Sequence, residues 1–183
     1  MIQESQVIRQ TENWINSVVI ACNFCPFASR AMIKKRVRFV VLADTTVENT
    51  LSTLQEELRF LDQNSGTETT LLIFPNSFSD FEWYLDLVDM AENLLEDNDY
   101  DGVYQVASFH PDYCFDGEET EDPANYTNRS VYPMLHLLRE SSVSEAVDNY
   151  PDIDKVPERN MSFARQKGLA FMQGLRNACL ATE

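Results

Sequence analysis

Four side chains able to do chemistry fall within five positions of "ASFHPDYCFDG": His110, Asp112, Tyr113 and Cys114. The chain has only two histidines, and His110 stands at the end of an apolar run that reads as a strand. An unperturbed imidazole titrates near neutral pH, which suits a general acid or base, and His110 is the candidate for that role. A second candidate is Cys25 in "ACNFCPFA", where Cys22 and Cys25 form a C-x-x-C followed by Pro26. A thiol at the start of a helix is activated by the helix dipole, and Pro26 suits the first position of a helix. Cys22 instead closes the preceding helix, so Cys25 is the better nucleophile. The strand that usually precedes a redox C-x-x-C is missing, and a buried structural pair is the plainer reading.

A third group could hold an anion. "NYTNRSVYP" supplies Asn125, Asn128, Arg129 and Ser130 just before Pro133. The residues "PMLHLLRE" read as a short helix opened by Pro133, whose free N–H groups would favour a negative ligand. His136 and Arg139, three positions apart, would share a face of that helix. Arg159 in "VPERN" is a further arginine able to grip an anion by fork-like hydrogen bonds. Against these stand blander roles: a histidine at a strand end often serves structure, an arginine among many carboxylates forms ordinary ion pairs, and "EETED" is a solvated acidic face. His110, Asp112, Cys114 and His136 are competent zinc ligand types, but H-x-D-x-C lacks the spacing of a metal knuckle. No metal and no cofactor is therefore expected. G-x-G-x-x-G, G-x-x-x-x-G-K-S/T and G-x-S-x-G are all missing, and five glycines leave little material for a phosphate-cradling loop.

The elements that must position these residues follow from periodicity. Val7, Ile8, Trp14, Ile15, Val18, Val19 and Cys22 predict a helix over 3–21, followed by a shorter one from Pro26 toward Lys34. "RVRFVVLA", "TTLLIFP" and "GVYQVASF" read as three strands. Between them, 44–63 and 77–98 show helical faces, the second opened by a Ser79–Glu82 capping box. Helical crossovers of this length favour parallel neighbours. A long loop runs from His110 to Tyr132, polar yet rich in aromatics. A further short helix is expected after Ser144, then the Pro-punctuated connection "NYPDIDKVPERN", then a last helix from Asn160 to Ala178. The expected fold class is α/β, a small mainly parallel sheet flanked by helices with a helical C-terminal part. The alternative is an α+β sandwich of ferredoxin-like type.

Parallel strands would place Asp44, Asn76, Ser77, His110 and Asp112 along one rim, where open sheets bind ligands. The loop would fold over that rim and bring His110 and Arg129 into one cleft. Alternatively it is a plug whose polar groups satisfy one another.

Composition bounds the partners. The 183 residues suit one domain spanning 1–183. They are 44% hydrophobic and 24% charged, a globular balance. The net charge of −16 argues against nucleic acid and anionic membrane surfaces, since a polyanion is bound through Lys and Arg. No apolar run approaches the ~20 residues of a membrane span, and the start lacks a basic segment followed by an apolar one. The expected location is the cytoplasm, with four reduced thiols.

At "CPFA", "FHPDYCF", "NYTNRSVYPMLHLLRE" and "VPERN" the sequence resembles the domain of unknown function 1415 family, bacterial single-domain proteins. The resemblance covers nearly the whole chain and carries over to Cys25, Pro26, Phe27, His110, Pro111, Tyr113, Asn125, Thr127, Asn128, Arg129, Ser130, Tyr132, Pro133, His136, Arg139, Glu140, Pro157, Arg159 and Asn160. Val131 departs from it where proline is common, and Cys114 is not part of the pattern. The resemblance supplies no activity. Two functions compete: an enzyme acting on a small polar, anionic metabolite, with His110 as acid or base and arginines holding the anion, or a non-catalytic ligand-binding or adaptor protein. Whether it is an enzyme, and in what oligomeric state, is left open.

Overall fold

A computed structural model describes residues 3–181 except Asn149 and Pro151, and for Ala146 the backbone alone. These two residues of the Pro-punctuated connection therefore lie outside the described residues. Helix α1 (Glu4–Trp14) runs directly into a π-helical stretch, Ile15–Ile20, where Ala21 N–H reaches back five residues to Asn16 O. Then follow α2 (Ala28–Ile33), β1 (Val37–Val41), α3 (Val47–Gln63), β2 (Thr69–Ile73), α4 (Phe81–Asp97) and β3 (Tyr104–Phe109). After the long loop come β4 (Met134–Arg139), α5 (Glu140–Asp148), α6 (Val156–Lys167) and α7 (Leu169–Ala178).

The four strands form one sheet in the order β1-β2-β4-β3. β1 and β2 are parallel, while β4 pairs antiparallel with both β2 and β3. The three strands expected from sequence thus run in the same direction. The sheet is nevertheless mixed, because the segment expected to be a helix at 133–140 is a strand slotted between two of them. Met134–Arg139 has only six residues and no polar face. Such a run is helix and strand at once by periodicity, and the sheet decides it. Being central, β4 receives partners on both edges for its backbone groups, and this tertiary pairing overrides the good helix propensity of Leu and Met. The class is mixed α/β. The predominantly parallel pairing expected from the crossovers is replaced by one parallel and two antiparallel pairings.

Side chains alternate across the sheet and meet two separate cores. Leu72, Phe74, Leu135 and Leu137 pack against Leu54, Leu58 and Leu61 of α3 and Tyr84, Leu87 and Leu95 of α4. Leu71, Ile73 and Met134 face the other way, toward Val7, Trp14 and Val18 of the first helix and Ala164 and Met172 of α6 and α7. The crossovers α3 and α4 therefore share one layer, and the N- and C-terminal helices form the other. Helix starts follow local chemistry: Thr46 caps α3 through Asn49 N–H, and Asp80, rather than Ser79, caps α4 through Trp83 N–H at 2.9 Å. The expected last helix is two helices, broken where Gly168 takes φ 84° and ψ 160°. Its start is also earlier than expected, because Pro157 sits in the first turn of α6.

Candidate functional site

The rim at the carboxyl ends of β1, β2 and β3 is closed by its own hydrogen bonds. Thr45 N–H donates to Ser77 Oγ at 3.0 Å, and Asn76 Nδ2 to Asp44 at 3.4 Å. His110 is fully buried there between the rings of Phe81 and Tyr84. Its Nδ1 accepts from Asp112 N–H at 3.0 Å, so the ring proton is on Nε2, which donates to Phe78 O at 2.9 Å. Burial pushes the imidazole below its ordinary range, ahead of the opposing effect of Phe78 and two aspartates. Both ring nitrogens are thus spent on backbone, and His110 ties the loop to the start of α4.

The loop residues are equally occupied. Arg129 donates from Nε to Tyr113 O at 2.8 Å and from Nη2 to Thr120 O at 2.7 Å, with its guanidinium over the Tyr126 ring. Asn125 is fully buried; it accepts from Phe115 N–H and donates to Glu119 O and Thr120 O. Ser130 is buried and donates to Tyr132 O. Every buried side-chain nitrogen or oxygen among the described residues has a partner. The loop is held as a plug, and His110 and Arg129 do not open onto a shared cleft.

The other arginines are spent in the same way. Arg139 sits past the C-terminal end of α3 and donates to Asn64 O at 3.2 Å, to Leu61 O, to Thr67 O and to Tyr104 Oη. It satisfies carbonyls at the negative end of that helix. On a strand, positions 136 and 139 point to opposite faces, so the shared helical face expected for His136 and Arg139 does not exist. Arg159 is exposed and donates to Tyr150, Asn23 O and Asn160.

Open space lies on the opposite face of the sheet from α3 and α4. A cavity of about 760 Å³ is bounded by the sheet below and by the π-helical stretch, α2 and α5 around it. Its walls are mainly apolar, with Trp14, Ile15, Val19, Leu71, Phe109 and Leu138 prominent. The π-helical turn gives Ile15 and Val19 to this wall; such turns inside helices recur at functional sites. Ala107 stands opposite His136 in the β3–β4 register, and its small side chain leaves the space above the ring unfilled. Of the candidate catalytic and ligand-binding residues, Cys25, His136 and Arg139 line this cavity. A second hollow of about 300 Å³ is lined by Asn128 and Asn160 and shares Val19, Cys25 and Phe109 with the first. Cys25 therefore borders both.

His136 is a polar feature of the cavity floor, beside Gln105 of β3 and Thr69 of β2. Thr69 Oγ1 has one proton and donates it to Leu137 O, so it must accept from His136 Nε2–H, 2.5 Å away. The tautomer is fixed with Nδ1 unprotonated. Nδ1 has no protein partner among the described residues and is not sealed, so the cavity is its outlet. Burial pushes the imidazole down to about 4, which keeps it neutral at physiological pH. Cys22 and Cys179 thiols are pushed up by burial. All four cysteines are unpaired. Among the described residues no three His, Cys, Asp or Glu side chains converge in a way that could hold a metal ion. No helix among them is long and apolar enough to cross a membrane.

Sequence reasoning missed Thr69, Trp14, Ala107 and Phe109. Thr69 and Leu71 sit two apart on a strand, hence on one face, but which face opens onto space depends on the helices that cover it.

Fold and site together define a three-layered α/β protein with a largely apolar cavity between sheet and helices. The chain belongs to the family described as protein of unknown function (DUF1415), whose model matches residues 6–174. No curated protein and no solved structure matches it.

Proposed function

We propose that this protein binds a small, mainly apolar molecule in the cavity above His136. The observation that carries this reading is the cavity itself. Its volume lies within the range of small-molecule sites, about 300–1,000 Å³, and it has the usual make-up of apolar walls with a few polar groups. Cys25, Pro26, Phe27, His136 and Arg139, all part of the family resemblance, line it. A small anionic metabolite held by His110 and the arginines is less well supported, because those groups bond to the protein's own backbone. Of the two side chains assigned chemistry from sequence, Cys25 borders the cavity and His110 does not, so any covalent step would fall to Cys25.

Nile red, an uncharged dye whose emission rises in apolar surroundings, tests the site. The wild-type protein should bind it saturably. Ala107→Phe, which fills the space opposite His136, should weaken binding at least about tenfold, the equivalent of about 1.4 kcal/mol. Equal binding by a folded Ala107→Phe protein would show that the dye, and the ligand it stands for, sits elsewhere.

A further inference from the structure

The orientation of His136 narrows the ligand further, on the reading that the cavity is a binding site. A largely apolar cavity whose floor holds an acceptor fixed in place rewards a molecule that brings a donor to that point. It rejects one that leaves the acceptor dry, because an unmet buried polar group is costly. Thr69 holds the ring so that Nδ1 offers a lone pair and no proton. Two edge-on aromatic pairs line the cavity, Trp14 with Phe109 at 5.2 Å and Phe27 with Tyr150 at 6.1 Å, and Phe109 lies 6.0 Å from the His136 ring. Such rings favour a flat aromatic guest. Charge selects as well. The ionised side chains lining the cavity are Arg30, Arg139, Glu68 and Glu145, which cancel. Arg30 pairs with Glu145 at 3.9 Å, and Arg139 is held by α3 carbonyls. The whole chain carries −16, so an anionic guest gains nothing from the surrounding field.

We infer that the cavity takes a neutral aromatic molecule bearing an O–H or N–H donor, a phenol or an indole in chemical class, with that donor on His136 Nδ1 and the ring against Phe109 and Trp14. Thr69 is then a positioning residue, acting through the tautomer it imposes.

Displacement of Nile red from the full chain by three matched compounds tests this: 4-ethylphenol, its methyl ether 4-ethylanisole, and 4-ethylbenzoate. The phenol should compete about five- to tenfold better than the ether, the worth of one hydrogen bond, and better still than the carboxylate. In His136→Leu, which keeps the bulk and removes the acceptor, phenol and ether should become equal. Thr69→Val, a gentler change, should shrink the preference by freeing the other tautomer. Equal competition by phenol and ether in the wild type would overturn the inference, as would tightest binding of the benzoate. If Nile red binds in the cavity and none of the three displaces it, the ligand class is wrong while the cavity stands. If Nile red does not bind at all, the site reading fails and this inference with it.

Discussion

His136 should make this protein acid-sensitive by a calculable amount. In the folded chain its pKa is pushed from about 6.5 to about 4 by burial. The unfolded chain therefore binds a proton that the folded chain refuses whenever the pH lies between those values. Stability rises with pH where the unfolded state holds more protons, so this contribution is intact above about 6.5 and is lost as the pH falls toward about 4. At about pH 5 the linkage relation gives a loss of about 2 kcal/mol relative to about pH 7.5 from this one group. A glutamine at 136 cannot titrate yet can still donate an amide N–H to Thr69. Urea unfolding of wild type and His136→Gln at the two pH values isolates the effect, because every other titrating group, including His110 and Asp122, is common to both proteins. The wild type should lose about 2 kcal/mol more than the variant on acidification. An equal loss in both proteins would mean that His136 is solvated or charged when folded, and the argument for a neutral ring facing an apolar cavity would fail.

The loop residues should behave as structure. Arg129→Ala removes two charge-assisted hydrogen bonds and a ring contact, and should cost about 3 kcal/mol in urea unfolding while leaving Nile red affinity unchanged. His110→Ala leaves Phe78 O and Asp112 N–H without their partner and should cost about 2–3 kcal/mol, again without touching the cavity. Weakened dye binding in either folded variant would reopen the loop as part of the site. Alkylation followed by peptide mass spectrometry should find Cys25 protected by Nile red and by 4-ethylphenol, since its thiol borders the cavity. Cys22 and Cys179, whose thiols are pushed up by burial, should react slowly with or without ligand. Unchanged labelling of Cys25 under saturating dye would place the dye away from it.

The crossovers and the direction of the first three strands were legible because long amphipathic helices and β-branched runs carry strong periodic signals. Val37–Val41 and Thr69–Ile73 stand where those signals put them. Met134–Arg139 was not legible. Its type depends on lying between β2 and β3, a fact about partners far away in sequence. The same misreading put His136 and Arg139 on one helical face, when strand alternation separates them: both line the cavity, but the Arg139 guanidinium is bound at the end of α3. His110 was recognisable as a special residue but not as a spent one, because its partners Phe78 O and Asp112 N–H are backbone groups whose position no side-chain pattern reveals. Cys25 and His136 were named from the sequence, but the cavity joining them arises from Ala107 and the π-helical turn, neither of which announces empty space.

With only two histidines in the chain, long-range proton–nitrogen NMR of uniformly labelled protein reads both rings at once, and His136→Gln assigns them. At about pH 7, His136 should show a protonated Nε2 and an unprotonated Nδ1. On titration with 4-ethylphenol that Nδ1 resonance should move as it accepts the phenolic hydrogen bond, while both nitrogens of His110 stay fixed. Movement of His110 with His136 unchanged would contradict the account and return the site to the loop at the carboxyl edge of the sheet.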